Sequence, residues 1–279
     1  MKKCVVLQSD FGVDSGLVAS MHGVCMRVDS SLVIDDITHS IRPFNIRQAA
    51  EILQYTIPCW PEGTVFVSVV DPGVGTLRRA SVAKTKNGYY IVTPDNGTLT
   101  MVDQFFGIEA IREIDEKTNR YMGAEYVNIF HGRDLFAYCA AKLAAGFIDF
   151  EGVGPEYSVK EIVRYELQPY NVEEGCAYGS AVGDPENGFG ILLTNIPNAA
   201  FTETGINFGD TVQIELSLDG TTVYKEAVMY NKAFGDVEIG EPILHPEMTS
   251  CLGLALNQEN FSKVNNIVAN IMYTIKISK

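Results

Sequence analysis

The side chains able to do chemistry in this 279-residue sequence fall in a few short segments. Asp10 lies in "QSDFG", His39 ends "DDITH", Asp71 lies in "VVDPGVG", and Asp95 with Asn96 lies in "TPDNG". Each follows a run rich in β-branched residues. A fifth segment, "NIFHGRDLF", places His131 just before a helical pattern, with Arg133 and Asp134 in its first turn. Carboxylates, imidazoles and amides can hold hydroxyls, carry protons or ligate cations. One such ending means little, because Asp and Asn are ordinary turn and cap residues. Four of them, after four strands, are expected to converge on one crevice, because open α/β sheets bind ligands at the carboxyl ends of their strands.

Each segment also has a structural reading. Asp10 could cap a helix, His39 could be a satisfied structural histidine, and "PDNG" could be a tight turn with Asn96-Gly97 supplying positive φ. Arg79, beside Arg78, reads as solvated. Two phosphate-binding motifs fail. "GVGTLR" has Arg78 where a dinucleotide fingerprint needs its third glycine, and G-x-x-x-x-G-K-[ST] is absent. Asp10, His39, Asp71 and His131 could form a nitrogen–oxygen metal set. No H-x-H, H-E-x-x-H or D-x-D spacing supports it, so no metal is expected.

The elements that must position these residues change character along the chain. In the first half, strands alternate with helices: "CVVLQSD", "SLVIDDIT", "TVFVSVV" and, after the Asn87-Gly88 turn, "YYIVTP" read as strands. Val18, Met21, Cys25 and Val28 recur at helical spacing. "NIRQAAEILQYTI" opens on an asparagine cap, and "GRDLFAYCAAKLAAG" closes on Gly146. This pattern predicts a Rossmann-like α/β domain with a mostly parallel sheet. From about Cys176 the chain reads as short strands and turns: "ILLTNI", "TVQIELSL", the Asp219-Gly220 hairpin, "TVYKEAVMY" and "IMYTIKIS". A smaller β-barrel is expected there. Weak periodicity and Gly, Pro, Glu and Tyr mark the joining region, roughly 148–174. The expected divisions are an α/β domain over 1–160, a linker over 161–174 and a barrel over 175–279.

Composition bounds the partners. A net charge of −14 with dispersed Lys and Arg argues against nucleic acid or an anionic membrane. The six cysteines are scattered without a C-x-x-C pair and read as buried, reduced thiols. "MKKCVVLQSDFG" has too short an apolar run for a secretion signal, and no later stretch approaches a membrane span. A cytoplasmic protein is expected.

With these clusters laid out, the sequence resembles the S-adenosylmethionine (SAM) hydroxide adenosyltransferases, water-using relatives of the SAM-dependent fluorinase and chlorinase. The resemblance is carried, in order, by "SDFG", "VASMHGV", "IDDITHSIRPFNIRQAAEIL", "PEGTVFVSVVDPGVGTLRR", "TPDNGTLT" and "HGRDLFA", and more loosely by "FGILLTNI" and "LGLALNQENF". It implies an α/β domain followed by a β-barrel. It also implies a homotrimer whose active sites lie between one subunit's N-terminal domain and its neighbour's C-terminal domain.

The resemblance implies hydrolysis of SAM to adenosine and L-methionine without a cofactor, with Asp71, Arg78 and His131 as the catalytic set. In the halogenating relatives the aspartate and arginine positions differ, so Asp71, which would repel a halide, argues for water. Asp10 is implied to hold the ribose hydroxyls and Phe44 to line the adenosyl pocket, with Asn96 near the nucleoside. Phe189 falls in the adenine segment, and Asp184 or Glu186 would meet the methionine amine. Ser15, Ile191 and "EMTS" at 247–250 depart from the family pattern. Two rival expectations remain: a SAM- or nucleoside-binding protein with little turnover, and a halogenase-like adenosyltransferase.

Overall fold

The computed structural model describes residues 4–123, 129–186, 188–269 and 271–279. The chain divides into two compact units, Met1–Tyr165 and Glu166–Lys279.

The first unit contains β1 (Cys4–Ser9), β2 (Val33–Thr38), β3 (Val65–Val69), β4 (Ala80–Thr85), β5 (Tyr90–Pro94), β6 (Ile108–Glu113) and β7 (Glu156–Tyr157). They form one sheet in the order β2-β1-β3-β5-β4-β6-β7. The β2-β1-β3-β5 half is parallel, and β4, β6 and β7 continue it antiparallel. β1 and β3 are continuously buried, as strands covered on both faces must be.

Alternation along β1 assigns its two faces. Val5 and Leu7 join a core with Met21, Cys25, Leu135 and Phe136, whereas Cys4 and Val6 join one with Leu53, Ile57 and Phe66. The first core is covered by α1 (Leu17–Val28) and α5 (Tyr138–Ala145), the second by α2 (Ile46–Thr56) and α3 (Thr100–Phe106); α4 (Glu116–Asn119) is a single turn. Asn45 caps α2 as expected, its Oδ1 accepting the Gln48 N–H at 3.0 Å, and Gly146 ends α5 at φ 74°.

The second unit contains β8 (Asn171–Glu173), β9 (Cys176–Val182), β10 (Leu192–Pro197), β11 (Thr211–Leu218), β12 (Thr221–Tyr230), β13 (Pro242–Pro246), β14 (Cys251–Leu256) and β15 (Met272–Ser278). The order β10-β14-β13-β12-β11-β15-β9 closes on itself through a β9–β10 pairing, giving a seven-stranded barrel, and β8 adds to the outside of β9. Val212, Ile214 and Leu216 of β11 point into its core with Phe201 and Leu254. Asp219 (φ 50°) and Gly220 (φ 79°) turn the β11–β12 hairpin, as the sequence predicts.

None of the six cysteines forms a disulfide, and five are buried; Cys59 is exposed, contrary to expectation. Among the described residues no helix is long and apolar enough to cross a membrane.

Candidate active site

The parallel half of the sheet brings four strand ends to one edge. β1 delivers Asp10, β2 His39, β3 Asp71 and β5 Asp95. After β3 the chain turns tightly: Asp71 C=O accepts the Val74 N–H at 3.3 Å, and Gly73 C=O accepts the Thr76 N–H at 3.1 Å. Gly75 takes φ 78°. The turn folds Arg78 back across Gly73, where an added Cβ would lie 3.2 Å from Arg78 Cγ. A side chain there would crowd the arginine stem, so glycine at 73 serves close approach.

Arg78 then grips Asp71. Its Nε donates to both carboxylate oxygens at 3.0 Å, and its Nη2 donates to Oδ2 at 2.5 Å. The same Nη2 lies 2.9 Å from His131 Nδ1. The Arg78 and Asp71 side chains are only 10% and 6% exposed, so the pair is largely desolvated. The guanidinium also lies 5.2 Å from the Phe136 ring centroid. An arginine has donors only, so Nδ1 must accept, and the neutral His131 ring carries its proton on Nε2.

Burial pushes the His131 pKa below its ordinary value, and the positive charges of Arg78 and Arg120 push it further down. His131 stands immediately before a π-helical segment, Gly132–Ala137, that leads into α5. Such segments are rare and favour functional sites.

Asp71 and His131 line a cleft of about 460 Å³ together with Asp10, Phe11, Phe44 and Leu17. That volume suits a small organic ligand. Asp10 does not cap a helix; its Oδ2 accepts the Phe44 N–H at 2.9 Å. Phe44 sits in the left-handed region at φ 67°, unusual for a bulky residue, and is 70% exposed.

The remaining sequence candidates take other places. Asn96 Nδ2 donates to Val70 C=O at 2.8 Å, and its Oδ1 accepts from Thr98 Oγ1 at 2.9 Å. Asn96 thus braces the residue before Asp71. Asp95 is buried, accepting from Tyr157 Oη at 3.0 Å and Val163 N–H at 2.9 Å. Arg133 pairs with its neighbour Asp134. Arg79, expected to be solvated, pairs with Glu161 at 2.9 Å and lies 4.3 Å from the Tyr157 ring centroid. Among the described residues no three His, Cys, Asp or Glu side chains group as a metal ion would require.

Asp184, Glu186 and Phe189 belong to the barrel unit, on the β9–β10 connection. Asp184 Oδ1 accepts the Glu186 N–H at 2.9 Å, and Phe189 is 77% exposed. Two residues missed in the sequence hold this connection. Asn260 Nδ2 donates to Pro185 C=O at 3.1 Å and Gly188 C=O at 3.3 Å, and Ser262 Oγ donates to Gly190 C=O at 2.7 Å. Their signal lay in "NFS", residues 260–262, where Asn260 caps a short helical turn that contains Ser262.

Comparison with known proteins bears on this geometry. The family model for the SAM hydroxide adenosyltransferase N-terminal domain matches residues 5–154, and that for its C-terminal domain matches residues 188–270. An (R)-S-adenosyl-L-methionine hydrolase of Salinispora arenicola is 40% identical over 250 residues, covering 89% of this chain and 88% of that protein. A fluorinase of Actinoplanes sp. is 26% identical over 294 residues, 97% of this chain and 96% of its own length. The crystal structure of an uncharacterized conserved protein from Thermotoga maritima superposes with a TM-score of 0.89 at 34% identity, covering 99% of this chain and 100% of that one.

Proposed function

Since this chain belongs to the S-adenosylmethionine hydroxide adenosyltransferase family, we propose that it hydrolyses S-adenosyl-L-methionine to adenosine and L-methionine. The observation that carries this reading is the contiguous Asp71–Arg78–His131 set, two of whose members line the first unit's cleft.

The chemistry asks little of the protein beyond placement. A water oxygen forms a bond to C5′ as the C5′–S bond breaks, and the electron pair leaves on sulfur as the neutral thioether of methionine. The sulfonium is already activated, so an in-line, oriented water supplies most of the rate. The water acidifies steeply as it bonds to carbon, so even a carboxylate paired with a guanidinium can take its proton. Asp71 is that acceptor, and the proton passes on to solvent. Arg78 fixes both partners: it aligns Asp71 through a forked contact and holds His131 in the Nε2–H tautomer. His131 then orients the water or relays its proton. Neither a metal nor a redox cofactor is required, so activity should survive exhaustive chelation.

Asp10 is the acceptor for the ribose hydroxyls, two donors that a carboxylate can take together. Phe44 covers the sugar. Asp184 or Glu186 meets the methionine ammonium, and Phe189 packs on the adenine. These three come from the barrel unit of a neighbouring copy in a homotrimer, which completes each active site. We assign the protein to the cytoplasm, consistent with its free thiols. Halide is disfavoured as the nucleophile because Asp71 would repel it.

Purified protein incubated with SAM in halide-free, chelator-treated buffer should yield adenosine and methionine in equal amounts by mass spectrometry. Tight SAM binding with product formation no faster than in buffer would instead mark a binding protein. A halogenated nucleoside appearing only with added halide would mark a halogenase.

A further inference from the structure

The loop that carries Asp10 is clasped from one side by the loop after β2. The Phe44 N–H donates to Asp10 Oδ2, and the Gly12 N–H donates to His39 C=O at 2.8 Å. The third clasp is a side-chain contact: His39 Nδ1 lies 2.6 Å from Ser9 Oγ, which also accepts the Phe11 N–H at 3.3 Å. Ser9 is fully buried and His39 is 4% exposed, so this is an interior contact rather than a surface turn.

Behind His39, its Nε2 is 3.0 Å from Asp36 Oδ1, and His22 Nε2 of α1 is 2.8 Å from the same oxygen. Burial would raise the Asp36 pKa, but hydrogen bonding to His39 and then His22 outweighs it and holds the carboxyl low. A charged carboxylate beside Nε2 keeps the proton on that nitrogen. Nδ1 is therefore free to accept the Ser9 hydroxyl, and the Ser9 oxygen to accept from Phe11.

We propose that His39 is a positioning residue for the Asp10 carboxylate, acting through Ser9 and oriented by Asp36. The clasp rests on the reading above, in which Asp10 holds the ribose hydroxyls. Releasing it lets the Ser9–Gly12 loop pivot, so substrate binding suffers while the Asp71 set keeps its geometry. His39 touches neither the reacting atoms nor the substrate.

The test compares wild type with Ser9→Ala, His39→Ala and His39→Asn. The asparagine amide stands near the Nδ1 position and can restore the bond to Ser9. SAM turnover gives kcat and KM, and calorimetry gives the preference for adenosine over 2′,3′-dideoxyadenosine. Ser9→Ala and His39→Ala should each cut that preference about tenfold and raise KM, with kcat changed by less than about threefold. His39→Asn should recover most of the preference. Unaltered preference and KM in Ser9→Ala would overturn the proposal, as would a fall in kcat alone. If His39→Ala does not fold, Ser9→Ala, a near-isosteric change, decides by itself. A wild type that binds both nucleosides equally would refute the Asp10 reading and the clasp with it, an outcome visible before any variant is made.

Discussion

Three side chains bear the proposed chemistry, and each makes its own prediction. Asp71→Asn keeps the shape and loses the proposed proton acceptor. Product formation should fall by roughly 10²–10⁴ in kcat, with KM within a few-fold, in steady-state assays. Arg78→Lys cannot reproduce a fork that reaches Asp71 and His131 together, so kcat should drop at least about tenfold. His131 gives a pH prediction. Burial, then Arg78 and Arg120, place its folded pKa below the ordinary 6.5, so folding favours the neutral ring. The contact from Arg78 therefore contributes fully above the unfolded pKa and fades as pH falls through the folded one. The acid limb of kcat/KM should lie below pH 6.5, and a limb above that value would contradict the assignment. This trio was legible through the family resemblance carried by "DPGVG-x-x-R" and "HGRD"; residue patterns alone offered Asp71 as a strand end and His131 as a lone helix-start histidine. Asn96 was not legible in the same way. Its partner, Val70 C=O, lies 26 residues earlier, just past β3, and no local pattern encodes that bond.

At the scale of elements, two glycines are the sensitive points. Gly73→Ala places a methyl against the Arg78 stem and should lower kcat with little change in melting temperature, since the turn backbone tolerates alanine. Gly190→Ala has the opposite profile. Gly190 takes φ 59°, and a Cβ would overlap the Asn260 amide that braces the β9–β10 connection. A loss of about 1–3 kcal/mol is expected, read as a fall of roughly 2–10 °C by calorimetry. Helices α1, α2 and α5 were readable from apolar spacing and caps. Strands β4 and β6 were not: "ASVAKT" and "IEAIRE" lack a run of large apolar residues. They are strands because β5 and each other offer antiparallel partners, a property of the sheet rather than of either segment. The same holds for β13 and β14, whose pairing helps close the barrel.

The whole molecule joins an α/β unit bearing the proposed reactive trio to a barrel bearing Asp184, Glu186 and Phe189. The proposed trimer predicts a single species of about three chain masses in sedimentation, and a monomer that stays fully active at nanomolar concentration would refute the shared site. Two domain types were legible in the change from alternating strand and helix to uninterrupted strands, because each pattern has few ways to bury its apolar face. The closure of seven strands was not, because it depends on the single β9–β10 pairing. The central claim is that water attacks C5′, and labelled water tests it most directly. Turnover of SAM in H₂¹⁸O should place one ¹⁸O in the 5′-hydroxyl of adenosine and none in methionine, at a rate abolished by Asp71→Asn. Unlabelled adenosine, or label formed equally fast by the Asp71→Asn enzyme, would contradict it.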